Sequence, residues 1–476
     1  MEMMVMALED AYLAKQNIYL LQADMTEAFD TICHDKLLMI LYDLGFPTDA
    51  IEVVKDLYTG ASTRIQTPHG PTSPLEFNRG TIQGDSLSPF LFVVYLEPLL
   101  RWLKAGNQGY MVGALKAEGP EIQARYQISD ITYADDVNII TGGPLGLRNL
   151  KEQAKKLSYY TTWGDLIVNN TKTTVTGALH GTQPHRPYDE KLLSSELGNT
   201  IRVQDKPITY QSPREPFRHL GVLLTMDLNY KHQLTATLHK IRSQVNKLKW
   251  SYTSTNQKQR IIETSIRPAI TYAFAVAPYT LAEVKSLDSL LTRATKQAYK
   301  LSTCMSTAAA HQDKDRGGLG CHSLEVEYHI ICHQNLVRAL NDPGPRGVIT
   351  RALFKIQKEG LDALSAEQLP YTVNYSMRMR QLLALKRCNT RLLHQGEAQD
   401  SIPDMHTLAT SMQAALPSPD TWDTRLVEDL HMLHHIGVHS LEQMLTVDRT
   451  HVQHASALTS IVSNRLVKPK HRKAWN

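Results

Sequence analysis

Cysteine is scarce: five in 476 residues, with no regular pairing. That excludes a disulfide framework and points to a reducing, intracellular compartment. No apolar run approaches the ~18 residues that a membrane span needs, so no membrane partner is expected. Aromatic content is only 7% and the net charge only +4, which says little about partners. Met1 to Met6 leads into Glu9 and Asp10 without a basic n-region, so it does not read as a secretory leader. Cys321, His322, His329, Cys332 and His333 lack a C-x2-C pair, so zinc is not expected. No internal repeat is visible. The length allows two to four domains and a substantial core.

What is present centres on Tyr133-Ala134-Asp135-Asp136. Ile128 and Ile131 precede it, and Val137, Ile139 and Ile140 follow, a pattern that predicts a β-hairpin. Two adjacent carboxylates at a hairpin tip repel each other, and a bound cation relieves the repulsion. An ordinary acidic turn would look the same in isolation. Upstream, Ile18 to Met25 predicts a buried strand ending at Asp24. A carboxylate at a buried strand end is costly unless paired or metal-bound. Asp24, Asp135 and Asp136 are therefore expected to meet around two divalent cations. Such a pair of ions clamps the attacking and leaving oxygens of an in-line phosphoryl displacement. Between these blocks lies Arg79-Gly80-Thr81-Ile82-Gln83-Gly84-Asp85, where Gly80 and Gly84 would let the loop approach a ligand. Pro89 suits the first turn of an apolar helix over 89–103, expected to be buried.

Three blocks, in this order, resemble motifs A, B and C of the reverse transcriptases of non-LTR (LINE-type) retrotransposons. They are Ala28-Phe29-Asp30 after Asp24, Gln83-Gly84-Asp85 closing in Leu87-Ser88-Pro89, and Ala134-Asp135-Asp136. The resemblance implies an α+β fold: a right-hand polymerase palm, an antiparallel sheet backed by helices, over 1–225. An all-helical thumb over 226–310 and a helical C-terminal region over 311–476 would follow. It implies RNA-directed DNA polymerase activity with an RNA template, a DNA primer, dNTP and two Mg²⁺, or Mn²⁺. Asp24, Asp135, Asp136 and the Met25 carbonyl would hold the metals. Phe29 would exclude a 2′-hydroxyl, or else be core. Gln83 and Gly84 would touch the incoming nucleotide. Lys172, in a stretch resembling motif D, would protonate pyrophosphate, or else be a solvated lysine. Phe217, His219, Leu220 and Gly221 resemble motif E, which positions the primer end, although relatives mostly carry an aromatic in place of His219.

Only one helix precedes Asp24, so the fingers of the family are expected to be missing. A partner chain could supply them. The alternative expectation is an inactive retroelement remnant that at most binds nucleic acid. Residues 231–300 hold twelve Lys and Arg against three acids, the balance a thumb tracking a phosphate backbone requires. The Arg316-Gly317-Gly318-Leu319-Gly320 block resembles one that follows the thumb in LINE-type enzymes. The tail Lys468-Pro469-Lys470-His471-Arg472-Lys473 is basic and suits nucleic-acid contact or a nuclear address.

Overall fold

Strand β1 (Asn17–Ala23) is the axis of a five-stranded sheet. Its partners are β2 (Asp130–Tyr133), β3 (Asp136–Gly142), β4 (Thr174–Leu179) and β5 (Thr209–Tyr210). The spatial order is β5-β4-β1-β3-β2. All neighbours are antiparallel except β4 and β5. In this computed structural model the described residues are 1–363 apart from 83, 199, 303–305 and 312–318, together with Ser376, Met377 and Gln381. Gln83, Gly317, Gly318 and the basic tail lie outside them.

The alternation of β1 sorts its side chains onto two faces. Tyr19, Leu21 and Ala23 face a core that includes Val137 and Ile139 of β3 and Val175 of β4. Two helices cover that face. Ser88–Lys104 contributes Leu91, Phe92, Tyr95 and Leu99, and Gly146–Trp163 contributes Leu150, Ala154 and Leu157. The alternate set, Ile18, Leu20, Gln22 and then Asp24, points the other way.

Helix Ser88–Lys104 is less buried than its composition suggests. Phe90 and Val93 are about half exposed, because only one side of it meets the core. The helix that ends at Tyr58 begins at Thr48, directly after Pro47. Residues 62–76 form two short ladders, Ser62–Thr63 with Leu75–Glu76 and Gln66–Thr67 with Gly70–Pro71.

The chain divides into two compact units. One comprises 1–236, 273–279 and 332–382; the other comprises 237–272, 280–331 and 383–476. In the second unit the described elements are helical. Ser254 with Gln257 and Thr280 with Glu283 form capping boxes that start two of its helices. Arg267 is not a free surface cation: it bonds Glu263 at 2.8 Å and Glu327 at 2.6 Å. Among the described residues no helix is long and apolar enough to cross a membrane.

Candidate active site

The register of β1 on β3 ends at Ala23 opposite Val137. One residue further along that register, Asp24 comes opposite Asp136, the first residue of β3, and alternation turns both to the face away from the main core. Asp136 pairs with Tyr133 across the two-residue turn Ala134-Asp135. Ala134 adopts φ 51°, the left-handed conformation the tight turn demands. Asp135 therefore projects at the tip beside Asp136. Partial burial, then Asp135, then Asp24 push the Asp136 carboxyl above its usual range, and Arg218 opposes them. Three like charges crowd one sheet end.

The backbone of Asp24 is gripped from both sides. Its N–H donates to Thr173 Oγ1 at 3.1 Å, and its carbonyl accepts from Asn169 N at 2.8 Å. Met25 is buried and enters a two-residue ladder with Val168. Lys172, on the same 169–173 turn, places Nζ 3.9 Å from Asp24 Oδ2 while its side chain is 69% exposed. The two form a long, solvent-exposed ion pair.

The donor set suits a hard divalent cation: carboxylate oxygens and, at Met25, a backbone carbonyl. Among the described residues no group of three or more His, Cys, Asp or Glu side chains is placed to hold a metal ion by itself. Mg²⁺ at phosphoryl-transfer sites needs only one or two carboxylates and takes its remaining oxygens from phosphate and water. The residues present fit the ion, and their mutual repulsion favours its binding.

Gly80 was expected to bring a loop close to a ligand. It brings the loop close to the chain itself. A Cβ there would lie 2.8 Å from Asp30 Cα, and φ is 85°. Gly80 N donates to Ile32 O at 2.8 Å, Thr81 N donates to Phe29 O at 2.9 Å, and His34 Nε2 donates to Gly80 O at 2.8 Å. The two blocks are thus sewn together beside Phe29. Phe29 is half-buried, with its ring 4.6 Å from that of Phe92. Gly84, at φ 88°, has open space around it.

The hairpin Phe217–Leu224 turns at Leu220 and Gly221, both with positive φ. Phe217 and His219 face inward, whereas Arg218 is exposed. His219 is 2% exposed, so its ring faces the interior rather than the surface. Its Nδ1 lies 3.4 Å from Asn138 Nδ2. Asn138 also accepts from Gln22 Nε2 at 3.1 Å and donates to Ile131 O at 3.1 Å. Thr174 Oγ1 lies 3.5 Å from Gln22 Oε1. This polar row, one step below Asp24 and Asp136, ties β1, β3 and β4 to the hairpin. Sequence reasoning passed over Arg218, Gln22 and Asn138. Gln22 and Asn138 do interrupt otherwise apolar strands, and that was the available signal.

Burial holds His219 neutral, with its pKa lowered to about 4, and the N-terminal ammonium of Met1 adds to the effect. His180, boxed between Tyr12 and Tyr188, is likewise lowered to about 4. The unfolded chain takes up each proton near pH 6.5. The folded chain refuses it until about pH 4. Stability is therefore expected to fall as pH drops through that window, by up to about 3 kcal/mol per histidine. Urea titrations of the wild type and His219→Phe should show the variant losing about half of this acid sensitivity. An identical pH profile would contradict it.

A family model described as "Reverse transcriptase (RNA-dependent DNA polymerase)" matches residues 2–224. Those residues are a reverse transcriptase domain of the non-LTR retrotransposon kind. The Pol polyprotein of the type-1 retrotransposable element R2 from Popillia japonica is 22% identical over 309 residues, 65% of this chain and 46% of its own length. The RNA-directed DNA polymerase of mobile element jockey from Drosophila funebris is 24% identical over 291 residues, 59% of this chain and 28% of its own length. The chain thus spans less than half the length of these curated relatives. A telomerase from Candida albicans solved with a fragment of telomeric RNA superposes with TM-score 0.36 and 11% identity, over 78% of this chain and 52% of that one. Reverse transcriptases of this family generally depend on a divalent metal.

Proposed function

We propose that the chain is an RNA-directed DNA polymerase that extends a DNA primer on an RNA template with dNTP. The observation that supports this best is the emergence of Asp24 and Asp136 together at one sheet end, with Asp135 in the adjoining turn. Two Mg²⁺ ions, or Mn²⁺, held by Asp24, Asp135 and the Met25 carbonyl with Asp136 behind them, would neutralise charge on the attacking and leaving oxygens. The primer 3′-oxygen bonds to the α-phosphorus of the dNTP as the bond to the bridging oxygen breaks. The hydroxyl proton passes to water and pyrophosphate leaves. Lys172 gives the leaving group a proton and then takes one back from solvent. The fold contributes position rather than covalent chemistry.

The nucleotide sugar rests against Phe29, and the open backbone at Gly84, with Gln83, receives the base pair beside it. The Leu220-Gly221 turn, set on Phe217 and His219, positions the primer end. Arg218 faces a primer phosphate. Residues 1–225 then serve as palm and the basic helices over 226–310 as thumb. No role is proposed for residues 311–476, and the proposed working place of the protein is the nucleus.

Primer extension by the full chain on an RNA template, with Mg²⁺ and then with EDTA, tests the reading. Metal-dependent extension supports it. No extension with either Mg²⁺ or Mn²⁺ overturns it. For the sugar contact, Phe29→Val is expected to lower discrimination against ribonucleotides by about 10- to 100-fold, the range a shape-based pocket delivers. Single-turnover competition between dNTP and rNTP measures it, and unchanged selectivity would make Phe29 a core residue only.

A further inference from the structure

The helix Gly146–Trp163 has a second face that the polymerase reading does not use. Its inner side packs on the sheet through Leu150, Ala154 and Leu157. On its outer side Arg148, Lys151 and Lys155 recur at i, i+3 and i+7, and so share one face. Tyr159 continues that stripe and is 69% exposed. The stripe from Arg148 to Tyr159 is about 16 Å long. Beside it stands the short hairpin Arg202–Val203 with Lys206–Pro207. Between helix and hairpin lies a groove of ≈ 640 Å³, with Leu147 and Ile201 among its apolar lining and Arg148, Lys151, Lys155 and Arg202 as its cations.

The groove carries a net positive charge. Glu152 is its one acid, and it is paired with Lys155 at 3.0 Å. Arg202 Nη1 donates to the Asp205 carbonyl at 2.8 Å and keeps its charge. Arg148 and Lys151 have no acidic partner among the described residues. A small anion would call for cations converging on one point. Here they are strung along a line, which suits a chain of phosphates. An exposed ring at the end of that line suits an unpaired base, because stacking needs a free base face. The carboxylates lie on the opposite face of the sheet, so the two places are separated by the helix layer and the sheet.

We propose that this groove is a second nucleic-acid site that holds single-stranded RNA by its phosphates and stacks a base on Tyr159. Only the choice of RNA over DNA rests on the polymerase reading. The test uses the full chain and a fluorescent oligouridylate, with affinity measured across a salt series. The triple substitution Arg148→Gln, Lys151→Gln, Arg202→Gln should flatten the slope of log affinity against log salt by about 2, at roughly 0.7 per phosphate contact on a single strand. Tyr159→Ala should weaken binding about tenfold and leave the slope unchanged. All four side chains reach solvent, and circular dichroism checks that the variants fold. Unchanged affinity and slope in both variants would overturn the site. Equal losses on blunt duplex DNA would overturn its single-strand character, and tighter binding of oligothymidylate would overturn the assignment to RNA. On a primer–template too short to reach the groove, the triple variant should extend at the wild-type rate. Failure of this site is thereby distinguished from failure of the polymerase reading.

Discussion

With asparagine in place of Asp135, Mg²⁺-dependent primer extension is expected to fall by about 1000-fold or more, while the chain stays folded. The two halves of that result have one origin. Asp135 sits in the tight turn that leads into β3, where its charge contributes nothing to packing and repels Asp136. Asparagine keeps the shape and removes the charge, so thermal stability should hold or rise slightly. In the proposed mechanism catalysis depends on that charge, because a preorganised group facing developing transition-state charge is worth about 100- to 1000-fold, and a lost metal ligand costs more. Asp136→Asn should cost less, since Asp136 is assigned only a supporting place. Single-turnover extension beside a thermal melt separates the effects. Retained extension in Asp135→Asn would remove the two-metal assignment, and lost folding would make Asp135 structural.

Gly80→Ala is expected to be the most damaging small substitution outside the carboxylates. Alanine at φ 85° is disfavoured in itself, and its methyl would press on the backbone at Asp30, which cannot swing aside as a flexible side chain can. Together these should cost at least ~2 kcal/mol, and lower the melting temperature by roughly 5 °C for a unit of this size. Extension should fall further than stability alone accounts for, because the bonds of Gly80 and Thr81 fix the segment bearing Phe29. Melting and extension at a temperature well below the transition check both parts. A variant as stable as wild type would mean that the loop has room to move.

The parts of the fold legible beforehand were those where composition and periodicity agree. The run into Asp24 and the hairpin around Asp135 carry β-branched and apolar residues at strand spacing, and both form as expected. β4 was passed over. Thr174-Val175-Thr176-Gly177-Ala178-Leu179 is neither apolar nor alternating in character, yet it is the inner neighbour of β1. Gly177 is there because a Cβ would lie 2.8 Å from the Tyr19 ring, a demand that only tertiary structure reveals. Helix Glu190–Leu197 was passed over as well. Its cap was visible: Asp189 accepts from Leu192 N, and Gly198 ends the helix. At the site, the acids were named from a strand end, a hairpin tip and the resemblance of their blocks to motifs A and C. Arg218 could not be named, because hairpin pairing rather than any local pattern turns it outward.

The two-sided character of β1 also sets how the chain tolerates changes in length. Leu21 and Ala23 feed the core while Gln22 and Asp24 feed the opposite surface. Adding or deleting a single residue between Asn17 and Ala23 turns every later side chain of the strand over. Such a chain could retain all three acids in its sequence and still present Asp24 to the hydrophobic interior. Inventories of acidic residues in such chains therefore overestimate how many are competent, and the spacing between Asn17 and Asp24 is the better criterion.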